Sequence, residues 1–105
     1  MNFEQFVKSK MRNAWIYEPG IKLYVRVSLP SRGTDYDLAA MLATLRGRGA
    51  LTRFLDTWEP THSFYIENVL RPERLGKYFL GRGYREVFNY TGARCCCYSN
   101  GKTVE

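Results

Sequence analysis

The most regular pattern in the sequence is an alternation of apolar and polar positions over residues 21–29. Every second residue from Ile21 to Leu29 is apolar, and this period of two predicts a half-buried strand. Pro19 and Gly20 precede the strand and favour a tight turn, because proline presets φ and glycine tolerates positive φ. Residues 13–18 then form the other arm of a predicted hairpin.

Three other segments have helical periodicity. Residues 2–11 carry apolar side chains at helical spacing, which predicts a short first helix. Residues 51–58 place apolar side chains at i, i+3, i+4 and i+7, the stripe of an amphipathic helix. Pro72 opens a third predicted helix, since proline is favoured in a first helical turn. Gly81 or Gly83 ends that helix.

The remaining segments decide the fold class. Residues 62–70 are rich in aromatic and β-branched residues and predict a strand, and residues 84–90 and 93–99 are two further strand candidates. Residues 35–45 are ambiguous, because their composition favours a helix and their position before a glycine-rich stretch suits a strand. The order helix, strands, helix, strand, helix, strands predicts an α+β (mixed α/β) fold in a single domain over residues 1–105.

Composition and charge indicate a folded domain with a basic surface. The chain has 105 residues, which favours one domain, and its hydrophobic fraction of 45% suits a globular core. The formal net charge is +6. Such a surface attracts anions, whether nucleic acid, an anionic membrane or a phosphate-bearing small molecule, and the charge does not choose among them.

Cysteine usage bears on metal binding and on location. The three cysteines are consecutive, Cys95–Cys97, which is neither a disulfide framework nor the spacing of a zinc site. We therefore expect small buried residues, no metal centre and a reduced, cytoplasmic setting. No signal-peptide pattern begins the sequence, and no stretch approaches the roughly 20 apolar residues of a membrane helix, so we expect no membrane association.

Residues 45–58, LRGRGALTRFLDTW, place two glycines and two arginines directly before the second predicted helix. The first N–H groups of a helix have no intrahelical partner and lie at the positive end of its dipole. Gly47 and Gly49 allow the backbone to approach a ligand closely, and Arg46 and Arg48 add positive charge. The segment is therefore a candidate anion site. It lacks the Lys-Ser/Thr pair of a Walker loop and the third glycine of a dinucleotide fingerprint.

The same segment resembles the pyrophosphate loop and helix of the GNAT superfamily, the acetyl-CoA-dependent N-acetyltransferases. The motif of that family is Q/R-x-x-G-x-G/A. Residues 46–50 match its first five places, and Leu51 occupies the sixth. Residues 64–87, FYIENVLRPERLGKYFLGRGYREV, resemble the next strand and helix of the family, which typically end in Gly-Phe or Gly-Tyr, as Gly83-Tyr84 does. On this resemblance the chain is identified as a short member with one GNAT-like domain.

The resemblance implies a central, mostly antiparallel sheet with splayed strands and flanking helices. Residues 36–44 would then be the strand that leads into the loop. Backbone groups of that strand would bind the pantetheine arm of acetyl-CoA and polarise the thioester, and the N–H groups of residues 47–51 would hold the pyrophosphate. The implied cofactor-binding residues are Leu38, Ala39, Ala40, Arg46, Gly47, Arg48, Gly49, Ala50 and Leu51.

The implied reaction moves an acetyl group to an amine acceptor, either a small molecule or a protein. Glu67 is the candidate general base, because it is the acid in the strand beside the supposed gap; its alternative is a surface glutamate paired with an arginine. The tyrosine position of the family falls on Phe79, and the neighbouring Tyr78 is the candidate general acid; its alternative is a core tyrosine with its hydroxyl at the rim. His62 is expected to be a solvated loop residue.

Two other functions stay open. One is a GNAT-like fold that binds a protein partner without catalysis. A homodimer is open as well, since pairing of two copies could complete the trimmed acceptor pocket of a short member. The other is a basic nucleic-acid-binding domain, in which exposed tyrosines stack on bases. The cations that would contact phosphates are Arg12, Lys22, Arg26, Arg32, Arg46, Arg48 and Arg53. The acidic residues interspersed among them argue against nucleic acid as the main partner.

Overall fold

The structure, a computed structural model, describes residues 1–44, 49–67, 72–87 and 97–101. The helices in these ranges are α1 (Phe3–Lys8), α2 (Ala50–Trp58) and α3 (Pro72–Gly81), with a short 3-10 helix at Pro30–Arg32. The strands are β1 (Asn13–Glu18), β2 (Ile21–Val27), β3 (Tyr36–Ala43), β4 (Phe64–Ile66), β5 (Arg85–Val87) and β6 (Cys97–Ser99).

The strands form one open sheet in the order β1-β2-β3-β4-β6-β5. Strands β3 and β4 pair in parallel, and the other neighbours in the described residues pair antiparallel. The α+β class predicted from the element order is thereby confirmed, and so is the mostly antiparallel sheet that the resemblance implies. The segment that sequence left ambiguous, residues 35–45, forms a strand over Tyr36–Ala43.

Local sequence explains the first elements. Asn2 and Gln5 form a capping box at the start of α1, each side chain bonding to the backbone of the other. The β1–β2 hairpin turns at Pro19-Gly20, where Gly20 has φ 81°. The alternation predicted over residues 21–29 ends earlier than expected, because Val27 and Leu29 are exposed. The chain leaves the sheet there and enters the 3-10 helix.

A layer of aromatic side chains joins the helices to one face of the sheet. Phe3 of α1 makes edge-on contacts with Phe54 and Trp58 of α2, with ring centroids 5.2 and 4.8 Å apart. Phe79 of α3 stacks on Tyr98 of β6 at 5.8 Å. Tyr98 lies opposite Ile66 in the sheet and shares its face. The three described α-helices therefore lie on one face, and the opposite face of β1–β3 carries no described α-helix.

The cysteine prediction is confirmed at one position. Cys97 in β6 is 1% exposed, as expected for a small apolar residue. Cys95 and Cys96 lie outside the described residues.

Candidate functional site

Strands β3 and β4 pair in parallel over three described residues each. The parallel ladder joins Tyr36–Leu38 to Phe64–Ile66, and the N–H of Glu67 donates to the carbonyl of Leu38 at 3.1 Å. Strand β3 continues to Ala43 with no β4 partner among the described residues. Among the described residues, β3 beyond Leu38 is therefore paired with β2 alone.

A β-bulge lies at the end of the described β3–β4 ladder. In the ladder between β2 and β3, Tyr24 pairs with Ala40 and Val25 pairs with Leu38, so Ala39 is the extra residue. A bulge breaks the alternation of the strand and redirects its backbone groups and side chains. The three strand residues implied as pantetheine contacts, Leu38, Ala39 and Ala40, are thus the residues around this bulge. Leu38 is fully buried, Ala39 is half-buried and Ala40 is exposed.

Helix α2 begins at the glycine-rich loop with an N-terminus that has no side-chain cap. Gly49 occupies the N-cap in the left-handed conformation, with φ 65°, and provides no side-chain hydrogen bond. The first intrahelical bond runs from the N–H of Arg53 to the carbonyl of Gly49 at 3.0 Å. The N–H groups of Ala50 and Leu51 precede that bond and point out of the helix end. The implied pyrophosphate residues Arg46, Gly47 and Arg48 lie outside the described residues.

Tyr78 reaches the same end of α2 from α3. Its hydroxyl lies 2.7 Å from the hydroxyl of Thr52, in the first turn of α2. The ring is half-buried, packs against Phe79 at 5.3 Å, and has the guanidinium of Arg82 at 5.8 Å. The phenol thus has a fixed place beside the helix start, with a cation nearby. Sequence did not single out Thr52, because its role depends on how α2 and α3 pack.

Glu67 lies on the opposite face of the sheet in a cluster of four charges. Arg26 and Arg32 both donate to its Oε1, Arg32 at 3.0 Å. The same two arginines reach Oδ2 of Asp37, at 3.4 Å and 2.5 Å. The pairing with arginine that was the alternative reading of Glu67 is present. Its second oxygen, Oε2, has no hydrogen-bond partner among the described residues.

Burial sets the electrostatics of this cluster. It raises the pKa of Asp37 above its ordinary value, against the opposing effects of the Ser28 hydrogen bond and the Arg32 charge. Burial alone would lower the pKa of Arg32, but Asp37 and Glu67 outweigh it, and the net pKa is raised. Arg32 also lies over the ring of Tyr65, 4.2 Å from its centroid. The cluster is a fixed, nearly neutral group of two cations and two carboxylates. Asp37 was missed at the sequence level, because it begins an apolar run.

The two proposed acid–base residues lie on opposite faces of the sheet. Glu67 follows the β3–β4 ladder on the face without described α-helices, and Tyr78 lies on the helix side. His62 lies in the loop between α2 and β4, as expected, but its ring is half-buried and contacts Phe3 at 5.8 Å and Trp58 at 5.7 Å.

A cavity of about 260 Å³ opens on another side of α2, beside the N-terminal segment and the hairpin turn. Glu4, Glu18 and Arg53 are among its lining residues. Oxygen Oε1 of Glu18 accepts the N–H of Phe3 at 2.9 Å. Ala50, one of the implied cofactor-binding residues, also lines this cavity, so it adjoins the start of α2. Its two carboxylates make the cavity itself a poor place for a diphosphate.

Comparison of the chain with protein-family models, with curated proteins and with solved structures finds no match in any of the three. Among the residues described, none of the groups of His, Cys, Asp and Glu side chains is arranged to hold a metal ion. In the described parts of the chain, every helix is too short or too polar to cross a bilayer.

Proposed function

We propose that the chain is an acetyl-CoA-dependent N-acetyltransferase that transfers an acetyl group to an amine of a small molecule or a protein. The observation that carries the proposal is a bulge in β3 at the end of its described ladder with β4, followed by a helix that begins at Gly49 without a side-chain cap. The resemblance to the GNAT family implies that the two strands splay apart there and leave a gap. One strand thus offers backbone to an extended arm, and the helix after it offers N–H groups to a diphosphate.

The cofactor would supply an activated acetyl thioester, and residues of the chain would hold it. Leu38, Ala39 and Ala40 offer backbone groups along the gap, and Gly49, Ala50 and Leu51 offer the helix start. Arg46, Gly47 and Arg48 complete the site as predictions from the sequence motif. A cytoplasmic location also stays a prediction.

Acetyl transfer needs a proton removed from the amine and a proton given to the departing thiolate. In the proposed mechanism Oε2 of Glu67 accepts the first proton, directly or through a water, while the two arginines hold Oε1 in place. Tyr78 donates the second proton, as the resemblance implies for its place in α3, and in the structure its hydroxyl rests against that of Thr52. The acceptor nitrogen bonds to the acetyl carbon as the C–S bond breaks.

Thermal melting with CoA species tests the cofactor site first. A ligand that binds the native state alone stabilises it by about 2.7 kcal/mol at a hundredfold excess over Kd. We expect acetyl-CoA, CoA and desulfo-CoA each to raise the Tm, and pantetheine without the diphosphate to raise it less. No shift with any CoA species would refute the proposal.

Thiol release with a panel of amines then tests catalysis. We expect release of CoA from acetyl-CoA to depend on the amine and to be reduced by Glu67→Gln. Binding of CoA without release in a broad panel would support a non-catalytic, protein-binding GNAT-like module.

A further inference from the structure

The sheet face opposite the helices carries a connected aromatic surface in the hairpin and β3. Trp15 lies opposite Tyr24 across the β1–β2 ladder, and Tyr17 lies opposite Lys22. Strand β3 extends the surface, since Lys22 pairs with Leu42 and Tyr24 pairs with Ala40. We name this surface the open face, and it comprises Trp15, Tyr17, Lys22, Tyr24, Ala40 and Leu42.

The open face exposes large rings that a sheet ordinarily covers. Trp15 is 43% exposed, Tyr17 57% and Leu42 60%. The rings of Trp15 and Tyr24 are 5.2 Å apart and tilted by 57°, so they form a ridge rather than a closed stack. The hydroxyl of Tyr24 donates to Oδ1 of Asn13 at 3.0 Å, which fixes the ring. These rings are held by the sheet in an orientation that a planar ligand can use.

The charge of the open face is positive. The ammonium of Lys22 lies 4.6 Å from the centroid of Trp15 and 5.5 Å from that of Tyr17, and none of the described carboxylates forms an ion pair with it. Arg26, 38% exposed, follows Tyr24 on the same face. The nearby carboxylates Asp37 and Glu67 are already neutralised by Arg26 and Arg32. A polyanion would therefore meet attraction there, in keeping with the net charge of +6.

We propose that the open face binds a single-stranded polynucleotide. Bases would stack on Trp15 and Tyr17, and phosphates would lie against Lys22. An apolar protein partner would have to bury the ammonium of Lys22 without a counter-charge, which is costly, whereas a phosphate supplies one. A duplex would hide its base faces, so the surface favours unpaired strands. Trp15, Tyr17 and Lys22 of the open face have no role in the proposed acetyl transfer, and the start of α2 lies on the other side of the sheet. Ala40 alone is also implied in cofactor binding, through its backbone.

Fluorescence anisotropy with end-labelled 12-mers tests the proposal, using oligo-U, oligo-dT and a duplex of equal length. We expect both single strands to bind more tightly than the duplex, with affinity that falls as salt rises. The tighter of the two single strands identifies RNA or DNA as the preferred source. Acetyl-CoA in excess should leave the anisotropy unchanged, since it would bind elsewhere.

Substitutions locate the site. The double variant Trp15→Ala with Tyr17→Ala should weaken binding at least tenfold, because one base stacked on one ring already contributes a factor of about ten to the affinity. Trp15→Phe keeps a ring and should retain most of the affinity, so it serves if the alanine variant fails to fold. Lys22→Ala should weaken binding and lower the salt slope by about one. Leu80→Ala and Lys77→Ala, at exposed positions of α3, are the matched controls and should bind as the parent does.

Several results would overturn the proposal. Equal binding of the duplex, or equal loss in the α3 controls, would indicate attraction to the basic surface in general. Self-association in sedimentation that Trp15→Ala abolishes, without oligonucleotide binding, would assign the open face to a second copy of the chain. The Tm shift with acetyl-CoA should be the same in Trp15→Ala as in the parent, so failure of this proposal and failure of the acetyltransferase proposal are distinguishable.

Discussion

The hydroxyl of Tyr78 lies 2.7 Å from the hydroxyl of Thr52, and this contact joins the middle of α3 to the first turn of α2. A phenol in this position is next to the helix start that would hold the diphosphate of acetyl-CoA. The contact is also the place where the two sequence motifs that resemble the acetyltransferase family meet. It therefore gives the proposed acid a location and a hydrogen-bond partner.

If Tyr78 protonates the leaving thiolate, Tyr78→Phe should lower kcat by about a hundredfold and leave the Kd of acetyl-CoA nearly unchanged, because general acid catalysis contributes on the order of 10²–10⁴. Steady-state kinetics and calorimetric binding measure the two quantities. Thr52→Val removes the partner of the phenol and should have a smaller effect on kcat. An unchanged kcat in Tyr78→Phe would exclude this residue as the acid and leave cofactor binding as a separate question.

The hairpin could be predicted in detail because its information is local. An apolar period of two fixes the inner face, and Pro19-Gly20 fixes the turn. The helix starts were predictable for the same reason, from an apolar stripe at residues 51–58 and from Pro72. Element ends were less predictable: β2 leaves its pattern after Val25, because Ser28 is drawn inward to hydrogen bond with Asp37 at 2.5 Å.

The candidate site was harder to predict, because it depends on pairing between distant residues. The sequence predicts Glu67 as an acid beside the supposed gap between strands. Its bonds with Arg26 and Arg32, however, follow from the parallel register of β3 and β4. The bulge at Ala39 has no glycine or other local signal, since it lies in an Ala- and Leu-rich run. Trp15 is exposed because all three described α-helices pack against the other face of the sheet.

Because Asp37 is buried, we expect the folding stability to depend on pH. It is 3% exposed, and burial raises its pKa above the ordinary 3.8. The native state therefore keeps this proton at pH values where the unfolded chain has lost it, and the stability from this group falls as the pH rises from about 3.8 through the folded pKa. Asp37→Asn removes the titrating group. The unfolding free energy of the parent minus that of the variant should therefore decrease as pH rises.

Urea denaturation at about pH 4 and about pH 7 measures this difference. Asp56→Asn, at an exposed position of α2, reports the effect of removing one surface carboxylate. A difference between parent and Asp37→Asn that stays constant or grows with pH would contradict the raised pKa.

The hydroxyl of Tyr84 makes a hydrogen bond that we expect to stabilise the α2–α3 contact. Its hydroxyl donates to Oε2 of Glu59 at 2.7 Å, and Arg82 donates to Oε1 of the same carboxylate at 2.6 Å. Burial and this bond raise the pKa of Tyr84 well above 10.0, so the phenol stays protonated while the protein is folded. Tyr84→Phe should lower the unfolding free energy by about 1–3 kcal/mol, since the acceptor is charged.

The matched control is Tyr36→Phe, because in the described part of the chain the Tyr36 hydroxyl makes no hydrogen bond; it should cost about 0.5 kcal/mol or less. Urea unfolding measures both variants. The loss of unfolding free energy in Tyr84→Phe should be the same at any pH below about 9. Because the pKa of Tyr84 is raised in the folded state, its contribution to stability is fully present below the unfolded pKa of 10.0 and is lost only as the pH rises above that value. Equal costs for the two variants would mean that the bond to Glu59 contributes little.

At Gly49 we expect any side chain to lower the unfolding free energy because of the backbone conformation alone. Its φ is 65°, in the left-handed region, and an added Cβ would lie 3.7 Å from Nη1 of Arg53, which is ordinary contact. Gly49→Ala should therefore lower the unfolding free energy by about 1–2 kcal/mol, through the left-handed conformation and not through a clash. Gly81→Ala, in α3 with no atom within 4 Å of the added Cβ, should cost nothing or stabilise slightly. Chemical denaturation compares the two variants. If Gly49→Ala is no less stable than Gly81→Ala, then α2 does not begin at a left-handed residue, and the helix start proposed to hold the diphosphate would have a different geometry.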